Sequence, residues 1–155
     1  MGGRSRIIPL PTPDDTYRFG KSAALLLPPN SILSLSGPLG AGKTTFVQGL
    51  AAGLLIETPV QSPTFTYLHL YDEGKKPLAH FDLYRMKTPS DFFSMGFEEY
   101  LDREGIAAIE WPERLGTALL AHSLSLRFSY TPEGRSVEFS SPIDSELIDL
   151  LSEWD

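Results

Sequence analysis

The spacing of apolar and polar positions changes along the chain, and each change marks an expected element. Arg6–Leu10 reads as a short first strand. Thr12, Pro13 and Asp15 then mark a helix start. Thr12 is the N-cap, Pro13 takes the first helical position, and Asp15 stands where a capping box usually carries Glu. This helix runs through Tyr17, Ala23 and Ala24 and stops before Pro28 and Pro29. Ser31–Ser36 is part-apolar and reads as a strand. Thr44–Leu54 places Phe46, Val47, Leu50, Ala51 and Leu54 at helical spacing. Thr66–Tyr71 and Leu78–Leu83 read as two strands around the turn at 72–77. Ser90–Phe93 and Phe97–Leu101 read as helical, with Gly96 between them. Ile106–Ile109 is wholly apolar, as a parallel strand covered on both faces should be. Leu124–Ser129 and Arg135–Ser140 form a second strand pair around Thr131–Gly134, and Ser145–Trp154 is an expected terminal helix.

Strands and helices interleave, so an α/β fold is expected: a mainly parallel central sheet flanked by helices. The two hairpin-like pairs add antiparallel strands. No repeat and no long linker divides the chain, and 155 residues suit a single domain over 1–155. The longest apolar stretch, Ala23–Pro29, is interrupted by its prolines, so no membrane span is expected. No long apolar region follows the first residues, so they do not read as a secretory signal. Gly2 fails the myristoylation pattern because position 6 is Arg6. Cysteine is absent, which removes disulfides and thiolate metal sites and suits the cytoplasm, the expected location. The net charge of −7 is the opposite of what a nucleic-acid grip requires. The thirteen Lys and Arg residues are scattered, so any RNA contact is expected through a partner.

The strongest chemical signal lies between an expected strand and an expected helix. Gly37, Gly42, Lys43 and Thr44 complete the pattern G-x-x-x-x-G-K-[ST] of a P-loop. Chance alone produces such a match in a chain of this length in about half a per cent of cases. The glycines let the backbone curl so that N–H groups, from Leu39, Gly40 and Ala41 among others, face phosphate oxygens. The helix N-terminus adds its positive end. Lys43 reaches the β and γ phosphates, and the Thr44 hydroxyl coordinates Mg²⁺. ATP and Mg²⁺ are the expected cofactors.

A P-loop also needs a carboxylate at the end of a neighbouring strand. Glu110 directly follows the apolar run Ile106–Ile109. Asp82 lies in His80–Arg85, where strand alternation puts His80, Asp82 and Tyr84 on one face and Phe81 and Leu83 on the other. The plain alternatives are an exposed loop acid for Glu110 and a salt bridge to Arg85 or another base for Asp82. His80 fits a packed or hydrogen-bonded strand residue better than a catalyst. Ser62–Phe65, with Thr64, stands where switch segments of such proteins sense the γ-phosphate, although Pro63 and Ser62 also suit a simple capped turn. Trp111 beside Glu110 is either core or a reporter on the site. Phe92, Phe93, Met95 and Phe97 read as core and interface.

The ordered set GPLGAGKTTF (Gly37–Phe46), SPTFTY (Ser62–Tyr67), HFDLYR (His80–Arg85), GFEEYLD (Gly96–Asp102) and EWPERLG (Glu110–Gly116) resembles the TsaE family, formerly called YjeE. The likeness runs from about Ile7 to Phe139. It implies a bacterial cytoplasmic ATPase that assists threonylcarbamoylation of the adenosine next to the anticodon of tRNA. The implied partners are TsaD, which transfers the group, and TsaB, which pairs with TsaD. By this resemblance Thr44 and Glu110 are Mg²⁺ ligands and Asp82 is an essential acid nearby. Thr45 shares the phosphate-binding turn, and Arg135 is similar to a late family position near the nucleotide. Lys43, Asp82 and Glu110 make up the expected catalytic group. Three other readings compete. A small-molecule P-loop kinase usually carries clustered lid arginines, whereas those beyond the loop here are spread over 85, 103, 114, 127 and 135. A GTPase needs an Asn-Lys-x-Asp box, and Asn30 is the only Asn in the chain. A nucleotide-gated binding module with little catalysis differs from a weak ATPase only in rate.

Overall fold

A computed structural model of the chain describes residues 4–63, 65–101, 104–116, 123–141 and 145–153. The first helix, α1 (Pro13–Leu26), begins as its capping chemistry dictates. The Asp15 N–H donates to Thr12 Oγ1 at 3.2 Å, and the Thr12 N–H donates to Asp15 Oδ2 at 3.0 Å. The helix ends where Leu27 turns extended ahead of Pro28, because a following proline disfavours the helical conformation.

Seven strands form one sheet: β1 (Arg4–Leu10), β2 (Ile32–Ser36), β3 (Leu68–Tyr71), β4 (Leu78–Asp82), β5 (Ile106–Glu110), β6 (Leu124–Thr131) and β7 (Gly134–Ser141). Their order is β1-β7-β6-β2-β5-β4-β3. The four central strands β6, β2, β5 and β4 run parallel. The outer pairs β6–β7, β7–β1 and β4–β3 are antiparallel. The expected α/β class, parallel in the centre with antiparallel additions, is the one observed. Among the described residues there are three more α-helices: α2 (Lys43–Gly53), α3 (Pro89–Ser94) and α4 (Ser145–Leu151). Among the described residues no helix is long and apolar enough to cross a membrane.

Every residue of β4 and β5 is buried, so both faces of the sheet centre are covered. Alternation sorts them. Leu78, Ile106 and Ala108 join the larger core with Phe19, Phe46 and Leu50 of α1 and α2. Ala79, Phe81, Ala107 and Ile109 join a second core with Phe92 and Leu115. By the same period His80, Asp82 and Glu110 fall on the face that carries α2. This is the link from sequence pattern to site.

Several boundaries differ from the sequence reading. The Tyr67 N–H donates to Pro63 O at 2.9 Å and Tyr67 takes a φ of 66°, so this turn delays β3 to Leu68. Glu110 is the last residue of β5 rather than the first beyond it. Phe97–Leu101 is a 3₁₀ turn, and a further 3₁₀ turn, Pro112–Leu115, was not expected. The strands of the last hairpin reach Thr131 and Gly134, which leaves only Pro132 and Glu133 as its loop.

Helices α1 and α2 meet backbone to backbone. A Cβ at Gly49 would lie 2.0 Å from Tyr17 O, and one at Gly20 would lie 2.3 Å from Phe46 O. This close approach fixes the axis of α2 against α1 and so the place of its N-terminus. Gly49→Ala therefore sets two effects against each other. Helix propensity favours alanine by about 0.5–1 kcal/mol. Overpacking against an immovable carbonyl costs about 1–3 kcal/mol or more. Urea unfolding of Gly49→Ala should show a net loss of stability. A variant as stable as the parent, or more so, contradicts the close-packed reading.

Candidate functional site

The loop from Gly37 to Gly42 leaves the C-terminal end of β2 and delivers the chain into α2 at Lys43. Its curl needs residues without a side chain. Gly37 and Gly42 take φ values of 132° and 117°, and a Cβ at Gly37 would lie 2.4 Å from Phe128 O. The β6–β7 hairpin braces the loop from outside. Tyr130 Oη donates to Leu39 O at 2.7 Å, and Arg135 Nε donates to Gly40 O at 3.3 Å. The Arg135 guanidinium lies 5.0 Å from the Tyr130 ring centroid.

A cavity of about 400 Å³ opens in front of this loop. Leu39, Gly40, Gly42, Lys43, Thr44 and Thr45 form one wall. Ser62, Asp82 and Glu110 face them, with Tyr84, Arg85 and Trp111 also lining it. Ala41 is fully buried and Gly37 shows its carbonyl to Lys43, so neither lines the cavity. Arg135 also lies outside this lining, against the loop. Thr64 lies outside the described residues.

Lys43 Nζ donates to Gly37 O at 2.5 Å and sits 4.0 Å from the Trp111 ring centroid. Burial holds the Lys43 pKa below the ordinary lysine value, against the opposing pull of Glu110, Glu113 and Asp82. An anion in the cavity would favour the charged form. The carboxylates come from neighbouring strands, where Asp82 and Glu110 are register partners across β4 and β5. Thr44 Oγ1 donates to Glu110 Oε2 at 3.4 Å. Ser62 Oγ donates to Asp82 Oδ2 at 3.0 Å, and the Tyr84 N–H donates to Asp82 Oδ1 at 3.0 Å. Glu110 is 4% exposed and Asp82 is 7% exposed, so the loop-acid alternative for Glu110 fails. The Arg85 guanidinium lies over the Phe65 ring, 4.9 Å from its centroid, and among the described residues no ion pair joins it to Asp82.

His80 is the packed, hydrogen-bonded strand residue expected and Trp111 lines the site as a reporter would, but the sequence reading did not give their partners. His80 is fully buried and its Nε2 lies 2.6 Å from Glu110 Oε2. Alternation put His80 on one face with Asp82, but only the pairing of β4 with β5 brings His80 and Glu110 together. Trp111 takes a left-handed φ of 61°, which turns the chain at the strand end and lays its ring against Lys43 and 4.9 Å from Tyr84. Of the four apolar residues 92, 93, 95 and 97, Phe92 is fully buried and Phe97 packs on the second core, whereas Phe93 and Met95 are exposed.

Among the described residues no three His, Cys, Asp or Glu side chains cluster as a metal cage. The available donors are oxygens: the Thr44 hydroxyl and the Glu110 and Asp82 carboxylates. Such a sparse, hard set suits Mg²⁺, which takes one or two carboxylates and completes its shell with water and phosphate.

Comparison with known proteins places the chain in a family. The model for "Threonylcarbamoyl adenosine biosynthesis protein TsaE" matches residues 10–137. The chain is 40% identical over 120 residues to the tRNA threonylcarbamoyladenosine biosynthesis protein TsaE of Treponema pallidum, covering 77% of this chain and 88% of that one. It is 38% identical over 143 residues to the protein of the same name from Nostoc, covering 90% of this chain and 87% of that one. A crystal structure of YdiB from Bacillus subtilis superposes with a TM-score of 0.74 at 28% identity, covering 98% of this chain and 93% of that one.

Lys43 is the one cation that the loop itself directs into the cavity. Lys43→Ala should weaken triphosphate binding by at least about 2 kcal/mol, roughly thirtyfold in Kd. Calorimetric titration of a variant that keeps its melting temperature checks this. Parent-like affinity would show that the loop does not hold phosphate.

Proposed function

The chain belongs to the TsaE family, and we propose that it is a P-loop ATPase subunit serving the threonylcarbamoyladenosine modification of tRNA. The carrying observation is one cavity that sets Lys43 and Thr44 of the glycine loop against Asp82 and Glu110 at the ends of two parallel strands. That arrangement suits phosphoryl transfer, which needs positioning and charge more than covalent chemistry.

In this reading the N–H groups of Leu39, Gly40, Gly42, Lys43, Thr44 and Thr45 cradle the phosphates of ATP, and Gly37, Gly40 and Gly42 give the backbone its curvature. The expected contribution of Ala41 is withdrawn because its N–H donates to Pro38 O at 3.2 Å. Lys43 leaves Gly37 O for the β and γ phosphates. Thr44 and Glu110 hold Mg²⁺, with Asp82 beside them orienting a water. Bound there, Mg²⁺ neutralises charge that develops on the phosphate oxygens. Ser62, bonded to Asp82, ties the 62–65 segment to the site, and Thr64 belongs to that segment. Arg135 steadies the loop through Gly40 O. ATP is favoured over GTP because the chain has no guanine box, its only Asn being Asn30. The net charge of −7 supports indirect contact with tRNA, through TsaB and TsaD in the cytoplasm, rather than a direct grip.

Catalytic power is expected to be incomplete in the isolated chain. Arg135 lies over Tyr130 outside the cavity lining, and Arg85 lines the cavity with its guanidinium over Phe65, so a second cation on a transferring phosphate is expected from a partner. A cation supplied in trans adds about 10³–10⁵ in rate where it has been measured in related chemistry. Steady-state phosphate release should therefore be slow for the purified chain and rise on saturation with TsaB and TsaD. A fast isolated enzyme that those partners leave unchanged would favour an autonomous NTPase.

A further inference from the structure

His80 is a fully buried imidazole in β4, and its two nitrogens have different surroundings. Nε2 lies 2.6 Å from Glu110 Oε2. Nδ1 is buried and has no hydrogen-bond partner among the described residues. A neutral imidazole carries one proton. On Nδ1 that proton would be a buried donor without an acceptor, and the Nε2 lone pair would face the carboxylate lone pairs. On Nε2 it removes both penalties. The bond therefore runs from Nε2–H to Oε2 and is charge-assisted.

What this bond does follows from where Glu110 sits. The Glu110 backbone is fixed as the last residue of β5, where its carbonyl accepts the Leu83 N–H at 3.1 Å. Its side chain still has three torsions with which to swing towards the open cavity. The oxygen that His80 holds is the one 3.4 Å from Thr44 Oγ1. His80 thus pins the carboxylate rotamer that faces the start of α2.

We propose that His80 is a positioning residue that presets Glu110 for the divalent cation, through a single hydrogen bond from Nε2. This rests on the reading of Glu110 as a cation ligand. Groups that hold metal ligands from behind typically change metal affinity or activity 10–100-fold when removed, roughly the range expected here. A histidine that only satisfied a buried acid would affect folding and leave the cation dependence alone.

The test is a Mn²⁺ titration, read by the paramagnetic signal of free Mn²⁺, with the chain saturated by a non-hydrolysable ATP analogue. His80→Leu removes the donor. His80→Asn keeps a polar group but stops at the position of Nδ1, short of Glu110. Both should raise the Mn²⁺ Kd about 10–100-fold. His80→Gln, whose amide nitrogen reaches the place of Nε2, should recover most of that loss. An unchanged Kd in a folded His80→Leu or His80→Asn chain overturns the proposal. So does loss of folding in all three variants, which would make His80 purely structural. Glu110→Gln separates the two readings: if it also leaves the Mn²⁺ Kd unchanged, the assignment of Glu110 to the cation fails first.

Discussion

A carboxylate buried at the C-terminal edge of the central sheet sets the terms for everything around it. Glu110 is 4% exposed. An acid removed from water needs hydrogen bonds and opposite charge to be tolerated there. It finds them in two elements at once: His80 of β4, and Thr44 with the nearby charge of Lys43 at the start of α2. Each contact constrains the fold. The β4–β5 register must hold, α2 must begin within reach of β5, and the glycine loop must close the gap between β2 and α2. The carboxylate is thus tolerable only where the surrounding structure has assembled a site for chemistry.

That assembly depends on α2 being held in one place. Gly20 and Gly49 let α1 and α2 touch along their backbones, and Phe19, Phe46 and Phe128 fill the space towards the sheet. The outer hairpin adds a brace through Tyr130 and Arg135. Within this rigid frame the Lys43 side chain is the adjustable part. Its ammonium rests on Gly37 O against Trp111, with its charge disfavoured by burial. A phosphate offers the same group a stronger partner, so charge balance favours movement towards a ligand.

Much of this was legible along the chain. The capping box of Thr12 and Asp15, the strand–loop–helix around Gly37–Thr44 and the buried run Ile106–Ile109 all rest on local rules, and each formed where expected. Alternation within β4 put His80 and Asp82 on one face, and Asp82 lines the cavity. What could not be read was set by long-range pairing. Strand order decides that His80 meets Glu110, and no spacing in the sequence encodes that order. The glycine contacts between α1 and α2 depend equally on a packing partner distant in sequence. Local chemistry misled at the edges too. Thr66 and Tyr67 look like strand residues, but the turn at Pro63 claims the Tyr67 N–H first.

The central claim is that Thr44 and Glu110 form one cation site in front of a phosphate-binding loop. A crystal structure with a non-hydrolysable ATP analogue and Mn²⁺, located by its anomalous signal, tests it most directly. The account predicts the cation on Thr44 Oγ1 at roughly the 2.1 Å of such oxygen bonds. Glu110 should bind it directly or through one water, with the terminal phosphates lying over Gly37–Thr44. A cation bound away from both side chains, or phosphates outside that loop, would contradict it.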